Sequence, residues 1–174
     1  MLVVVVVDKL ELLLALVVVL VAVLVVVEVK IEVEQMAVTT GASWELQPID
    51  PHQHLSKIRC WYEASQASLP VWIVRDEDYW QYLLARSATD QFFALVDPQQ
   101  QPHGYVRLRM EQSSWVIQDW GLEQAADEQM VAMMQALAQW AAPQGVSTII
   151  GWLPRLEQTL EPVTFEARPQ EITM

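Results

Sequence analysis

Cysteine occurs once in this 174-residue chain and glycine five times. The single cysteine, Cys60, excludes an internal disulfide and gives no metal-ligand spacing, which suits a reducing compartment. Basic residues are scarce too: 10 Lys plus Arg stand against 22 Asp plus Glu, a formal net charge of −12. No Lys/Arg cluster breaks that balance, so the electrostatic footprint of a nucleic-acid binder is missing and no nucleic-acid partner is expected. Residues 1–42 lack aromatics and proline, and all 8 Trp lie at or beyond Trp44. Two kinds of sequence therefore meet between Met36 and Trp44. The chain divides into a hydrophobic N-terminal extension, residues 1–42, and one domain, residues 43–174, long enough for a real core.

What the extension has is an apolar run, Leu12–Val27, of 16 residues. As a helix it would be roughly 24 Å long, against about 30 Å of bilayer hydrocarbon. Lys9 lies between Asp8 and Glu11, and Lys30 lies among Glu28, Glu32 and Glu34, so the flanks show no positive-inside bias. No small-residue cleavage site follows the run, which argues against a cleaved signal peptide. "VEVKIEVE" then alternates apolar and charged residues at strand periodicity. Three readings stand: a short membrane anchor through residues 10–27, one or two Val-rich strands, or a non-native extension ahead of Met36. A cytoplasmic location is expected, with membrane association under the anchor reading.

From Trp44 onward the signals are regular. "WELQPI" reads as a strand, and Asp50 caps a helix beginning at Pro51, with Leu55, Ile58, Trp61 and Tyr62 at helical spacing. "LPVWIV" is extended; "RDEDYWQYLLARS" is a second helix with Asp76 near its N-terminus and Tyr79, Trp80, Leu83 and Leu84 as its apolar stripe. "QFFALVD", "GYVRLRM" and "SWVIQDWGL" are three strands joined by polar turns, an antiparallel meander. A helix from beyond Gly121 to about Ala142 carries Met130, Met133, Met134, Leu137 and Trp140 on one broad face and stops at Pro143 and Gly145. "VSTIIGWLP" is a buried strand that closes a parallel β-α-β crossover, and "VTFEARPQEITM" is a last strand interrupted by Pro169. The expected class is α+β, a mixed sheet whose antiparallel meander turns parallel around one central helix.

Several residues invite a chemical reading, each beside a plainer one. Asp119, on a strand, is a carboxylate that could act as a general base, and more commonly one that caps the following helix or faces solvent. His52 and His54 form an H-x-H pair without a third ligand, so no metal site is expected, and His103 sits in a turn. Cys60 has no base nearby in sequence and is expected to be a small buried side chain. Met130, Met133 and Met134 fall at core spacing. Arg75 and Arg86 bracket the second helix; Arg107 and Arg109 share a strand face, where they would meet an anion or, more commonly, local acids.

The order β–α–α–β–β–β–α–β–(α)–β, with "FFALVDPQQQPHGYVRLRM", "WVIQDWGL" and "VSTIIGWLP" in these places, resembles the GNAT (N-acetyltransferase) fold from about Trp44 to Met174. "WYEAS…LPVWIVRDEDYWQYLLAR" is similar to the second, degenerate domain of tandem acetyltransferases of the "enhanced intracellular survival" kind. Catalytic GNAT domains carry Gln/Arg-x-x-Gly-x-Gly/Ala after the fourth strand, where backbone N–H groups wrap the acetyl-CoA pyrophosphate. This chain offers "GLEQAADEQ" there: one glycine, Gly121, no basic residue, and Glu123, Asp127 and Glu128. Phosphates would meet like charges worth roughly several kcal/mol of repulsion in a partly dry site. The resemblance thus implies a structural, substrate-shaping second domain of an acetyltransferase, with no residue assigned to catalysis or to cofactor binding. Acetyl-CoA is expected only if the family activity is retained. The partners implied are an acetyl-CoA-binding GNAT domain or a second copy of the chain. The alternative is a membrane-tethered binding module on the same scaffold.

Overall fold

A computed structural model describes residues 26–37, 44–67, 73–124, 126–154 and 163–166. The apolar run is therefore outside the described residues except for Val26 and Val27. Among the described residues no helix is long and apolar enough to cross a membrane.

Two helices begin where side chains replace missing backbone partners. Asp50 Oδ1 accepts the His52 N–H at 2.9 Å, starting α2 (Pro51–Gln66) with proline in its first turn. Asp76 Oδ1 accepts the Tyr79 N–H at 2.8 Å, starting α3 (Glu77–Arg86), whose acidic first turn and basic last turn suit the helix dipole. Among the described residues there are two more helices, α1 (Val33–Ala37) and α4 (Asp127–Ala141). A 3-10 turn over Ala142–Gln144 ends α4, and Gly145 follows at φ 74°, a left-handed position that favours glycine.

Seven strands form one sheet: β1 (Val26–Glu32), β2 (Glu45–Pro48), β3 (Gln91–Val96), β4 (Pro102–Met110), β5 (Ser114–Leu122), β6 (Thr148–Pro154) and β7 (Val163–Glu166), in the order β2-β3-β4-β5-β6-β1-β7. Only β5 and β6, the strands joined through α4, are parallel. The architecture is α+β, a mixed sheet with an antiparallel meander β3-β4-β5.

The alternating end of the N-terminal segment is a strand inside the sheet. β1 pairs antiparallel with β6 from Val26↔Pro154 to Glu32↔Thr148, and with β7 on its other edge. Val29 and Ile31 point into the core at 1% and 0% exposure. Each such buried side chain contributes about 1.5–3 kcal/mol by burial alone. The sheet thus draws residues from both sides of the composition break at 42/43.

Helices pack on both faces of the sheet and, among the described residues, the β6–β1 part of one face is left open at Lys30, Glu32 and Trp152. α1 and α4 pack on one, with Met133, Leu137, Ile149 and Phe93 fully buried between helix and sheet. α2 and α3 pack on the other, through Ile58, Trp61, Tyr62, Trp80 and Tyr105. Met130, Met133 and Met134 are core side chains on α4.

Candidate functional site

The site is built by one irregularity in β5. Arg107 lies opposite Asp119 but Leu108 lies opposite Ile117, so Gln118 is an extra residue without a partner on β4. A bulge of this kind turns every following side chain to the other face. Before it, Trp115 and Ile117 face the α4 core; after it, Trp120 and Leu122 do. Asp119 and Gly121 are thereby rotated under α2 and α3. The carbonyl that the bulge frees is not left alone: Arg107 Nη2 donates to Gln118 O at 3.2 Å.

Asp119 is buried, at 8% exposure, and its carboxylate is fully engaged. Arg75 reaches it from the stretch just ahead of α3 with a two-point contact, Nη1 to Oδ2 at 2.6 Å and Nη2 to Oδ1 at 3.2 Å. The Tyr105 hydroxyl donates to Oδ2 at 2.8 Å. The Arg75 guanidinium lies 3.8 Å from the Tyr62 ring centre and 4.9 Å from that of Trp80. Burial opposes the Arg75 charge, yet the Asp119 carboxylate outweighs it and holds the guanidinium above its ordinary value. Burial, then Asp119, pushes the Tyr105 phenol well up, so it stays a hydrogen-bond donor. Both oxygens of this carboxylate accept hydrogen bonds from its own chain, Oδ1 from Arg75 and Oδ2 from Arg75 and Tyr105, so it orients these neighbours. The Asp119 candidate is therefore an ion-pair partner, neither solvated nor a helix cap.

Gly121 does not belong to the turn after β5; it is inside the strand. A Cβ there would fall 2.6 Å from Tyr105 Cε1, 2.7 Å from Tyr62 N and 2.8 Å from Trp61 C. The missing side chain lets the α2 backbone lie directly on β5. Next to it, the Ser65 hydroxyl of α2 accepts the Leu122 N–H and sits 3.0 and 3.1 Å from the Trp61 and Leu122 carbonyls, either of which can take its proton.

The turn itself begins at Glu123 and contains no glycine. Gln129 Oε1 accepts the Gln124 N–H at 3.0 Å, while Ala126, at the helix cap position, offers no capping side chain. Asp127 and Glu128 fill the first turn of α4. Glu123 is tied back to the β3–β4 hairpin: His103 Nδ1 lies 2.7 Å from Glu123 Oε2 and His103 Nε2 2.9 Å from Asp97 Oδ2. An imidazole can donate from both nitrogens only when protonated. Burial opposes that charge, but the hydrogen bonds to Asp97 and Glu123 win and raise the His103 value. With both nitrogens committed in opposite directions, His103 is closed to a ligand.

β5 and β6 are paired only from Ser114↔Thr148 to Ile117↔Gly151, and the strands part at the bulge. The wedge that opens is bridged by the protein itself, since the Trp120 indole N–H donates to Trp152 O at 3.1 Å.

Other residues singled out by sequence take plainer places. Arg107 and Arg109 both reach Asp90, whose side chain is 1% exposed, so they meet a local acid. Arg86 donates to the Tyr82 hydroxyl on the α3 surface. His52 and His54 are half-exposed to exposed at the start of α2, His54 Nδ1 lying 2.9 Å from Asp50 O. Cys60 is exposed, contrary to the expectation of a buried side chain, because it falls on the outer face of α2 while Trp61 and Tyr62 take the inner one. Among the described residues no group of three His, Cys, Asp or Glu side chains is placed to hold a metal.

The Arg75–Asp119 pair, 44 residues apart, and the Asp97–His103–Glu123 bridge carry no local sequence signal. Gly121 carried one, a glycine between bulky residues in an otherwise regular strand, which points to a close backbone approach.

No protein-family model matches the sequence, and no curated protein is similar to it in sequence. Solved structures are similar in fold. A conserved Enterococcus faecalis V583 protein, described as a probable N-acyltransferase, matches with a TM-score of 0.60 and 15% identity over 81% of this chain and 37% of its own. A GCN5-related N-acetyltransferase from Anabaena variabilis matches with a TM-score of 0.54 and 15% identity over 80% of this chain and 37% of its own. L-PGS from Bacillus licheniformis matches with a TM-score of 0.51 and 11% identity over 76% of this chain and 48% of its own. The fold is GNAT-like, and the chain spans less than half the length of these three neighbours.

Proposed function

We propose that this chain is a GNAT-type domain without a pyrophosphate grip of its own, which braces an acetyl-CoA-binding GNAT domain and helps shape its acceptor groove. The reading rests on the turn from β5 into α4. A nucleotide diphosphate needs backbone N–H groups that can be approached closely, and preferably a nearby cation. Here the one glycine of the β5 end, Gly121, is consumed inside the strand, where α2 covers it. The described turn residues, Glu123, Gln124 and Ala126, and the first helical residues, Asp127 and Glu128, include no basic side chain, and His103 alongside is held between two carboxylates. These residues do not fit a pyrophosphate. The domain supports a bracing role through what it does have, helices packed on both sheet faces and a set of buried polar ties that hold α2, α3 and the meander together. Neighbours more than twice as long as the aligned region in two cases are consistent with a companion domain.

Thermal melting with acetyl-CoA tests the reading. Ligand at 100 times its Kd stabilises by about 2.7 kcal/mol. No shift at millimolar acetyl-CoA is expected; a saturating shift at sub-millimolar cofactor overturns the reading.

A further inference from the structure

We propose that Tyr62, Trp80, Tyr105 and Asp119 form a guanidinium-recognition box that the protein's own Arg75 occupies as an intramolecular competitor. The four groups supply the three things a guanidinium ligand requires. Asp119 meets one edge of the cation through both oxygens, at 2.6 and 3.2 Å. The Tyr62 and Trp80 rings stand 3.8 and 4.9 Å from its central carbon, the range in which an aromatic face attracts a cation. Tyr105 fixes the carboxylate from behind, at 2.8 Å, and is itself wholly buried.

The recognising groups all belong to helices and strands. Tyr62 lies on α2, Trp80 on α3, Tyr105 on β4 and Asp119 on β5. They are locked further by the edge-to-face contact of Tyr62 with Trp80, ring centres 5.5 Å apart, and by the Tyr62 hydroxyl donating to Ile73 O at 2.9 Å. Arg75 alone comes from outside regular structure, on the non-repetitive stretch Ile73–Asp76, where Ile73 and Val74 are exposed. The fit of this occupant is also incomplete. Its Nε–H is buried without a hydrogen-bond partner. The box satisfies the cation's two-nitrogen edge and its face, and leaves the edge toward the chain unmet. A site shaped for the head group and indifferent to the stem is one that a separate guanidinium compound can fill. This assignment stands whether or not the β5–α4 turn binds acetyl-CoA.

The test is chemical rescue in the full chain. Arg75→Ala removes the occupant and leaves Asp119 buried and unpaired, so its melting temperature is expected to fall. Ethylguanidinium is expected to restore it saturably, with ethylammonium at least about tenfold weaker because it lacks the planar two-point edge. Urea at the same concentrations serves as the uncharged control. Wild type should show no saturable shift, its box being filled, and Arg75→Ala with Asp119→Asn should lose the response. Should Arg75→Ala not fold unaided, folding recovered by ethylguanidinium supports the box and failure to recover overturns it. Rescue that is absent, or equally strong without the Asp119 charge, or equally strong with ethylammonium, overturns the assignment as well. A blocked Gly-Arg-Gly peptide run beside ethylguanidinium tells the source: rescue by both admits an arginine side chain, and rescue by ethylguanidinium alone restricts the box to small guanidinium compounds.

Discussion

Gly121→Ala isolates what the one glycine of the β5 end is for. The added methyl would sit 2.7 Å from Tyr62 N and 2.8 Å from Trp61 C, both main-chain atoms of α2, and 2.6 Å from a Tyr105 ring carbon. Backbone cannot swing aside as a side chain can, so α2 must lift off the strand. Overpacking of this kind costs about 1–3 kcal/mol. Lifting α2 also stretches the Ser65 contacts to Leu122, and a lost hydrogen bond costs about 0.5–1.5 kcal/mol more. The sum is about 1.5–4.5 kcal/mol, which at a mid-range urea m-value of about 2 kcal/mol/M moves the midpoint down by about 1–2 M. Gly145→Ala is the control: nothing lies within 4 Å of its would-be Cβ, and only its φ of 74° resists. That change should cost about 1–2 kcal/mol. Equilibrium urea unfolding followed by tryptophan fluorescence reads both. A Gly121→Ala midpoint within about 0.5 kcal/mol of wild type would refute the packing role and return this glycine to the turn.

Three further outcomes follow from the same contacts. Ile31→Ala should cost about 2–5 kcal/mol in urea unfolding, as for any wholly buried Ile, whereas an unchanged midpoint would mean that β1 is not part of the folded sheet. Asp119→Asn strips the partner from a guanidinium whose side chain is 11% exposed, and breaking such a pair typically costs about 3–5 kcal/mol; Arg75→Met with Asp119→Leu should recover most of it, and a double variant as unstable as the single would contradict the pairing. His103 has its value raised on folding, so its bridge contributes fully below the unfolded value of about 6.5 and fades as pH climbs through the higher folded value. His103→Gln should therefore be less stable than wild type at pH 5–6, with the gap closing toward pH 9; a gap independent of pH would rule out the charged bridge.

The regular parts of this fold were legible because their signals are local. Asp50 caps the helix it was expected to cap, Asp76 lies at the helix N-terminus where it was expected and caps it, and the three-strand meander and the helix stopped before Gly145 lie where turn residues and periodicity put them. The site was less legible because it depends on one unpaired residue. Simple alternation puts Asp119 on the same face as Trp115 and Ile117, inside the apolar core; the bulge at Gln118 moves it to the face where Arg75 waits. Nothing in the run "WVIQDWGL" marks the bulged residue, since its register is set by β4. The same holds for His103, whose two carboxylates come from either end of the meander. The N-terminal segment leaves several readings open for another reason: apolar residues suit a membrane, an aggregate or a sheet alike. The alternation over residues 28–34 is strand-like on its own, yet a place between β6 and β7 is decided only by the tertiary partners.

The central claim is that the β5–α4 turn cannot hold a diphosphate, and the most direct measurement is equilibrium dialysis of labelled acetyl-CoA against the full chain at low salt. Low salt removes screening and therefore exposes both the attraction of a helix N-terminus and the repulsion from Asp127 and Glu128. The account predicts no saturable uptake at millimolar acetyl-CoA. Uptake of one equivalent with a sub-millimolar Kd, displaced by coenzyme A and weakened by a bulky substitution at Ala126, would contradict it.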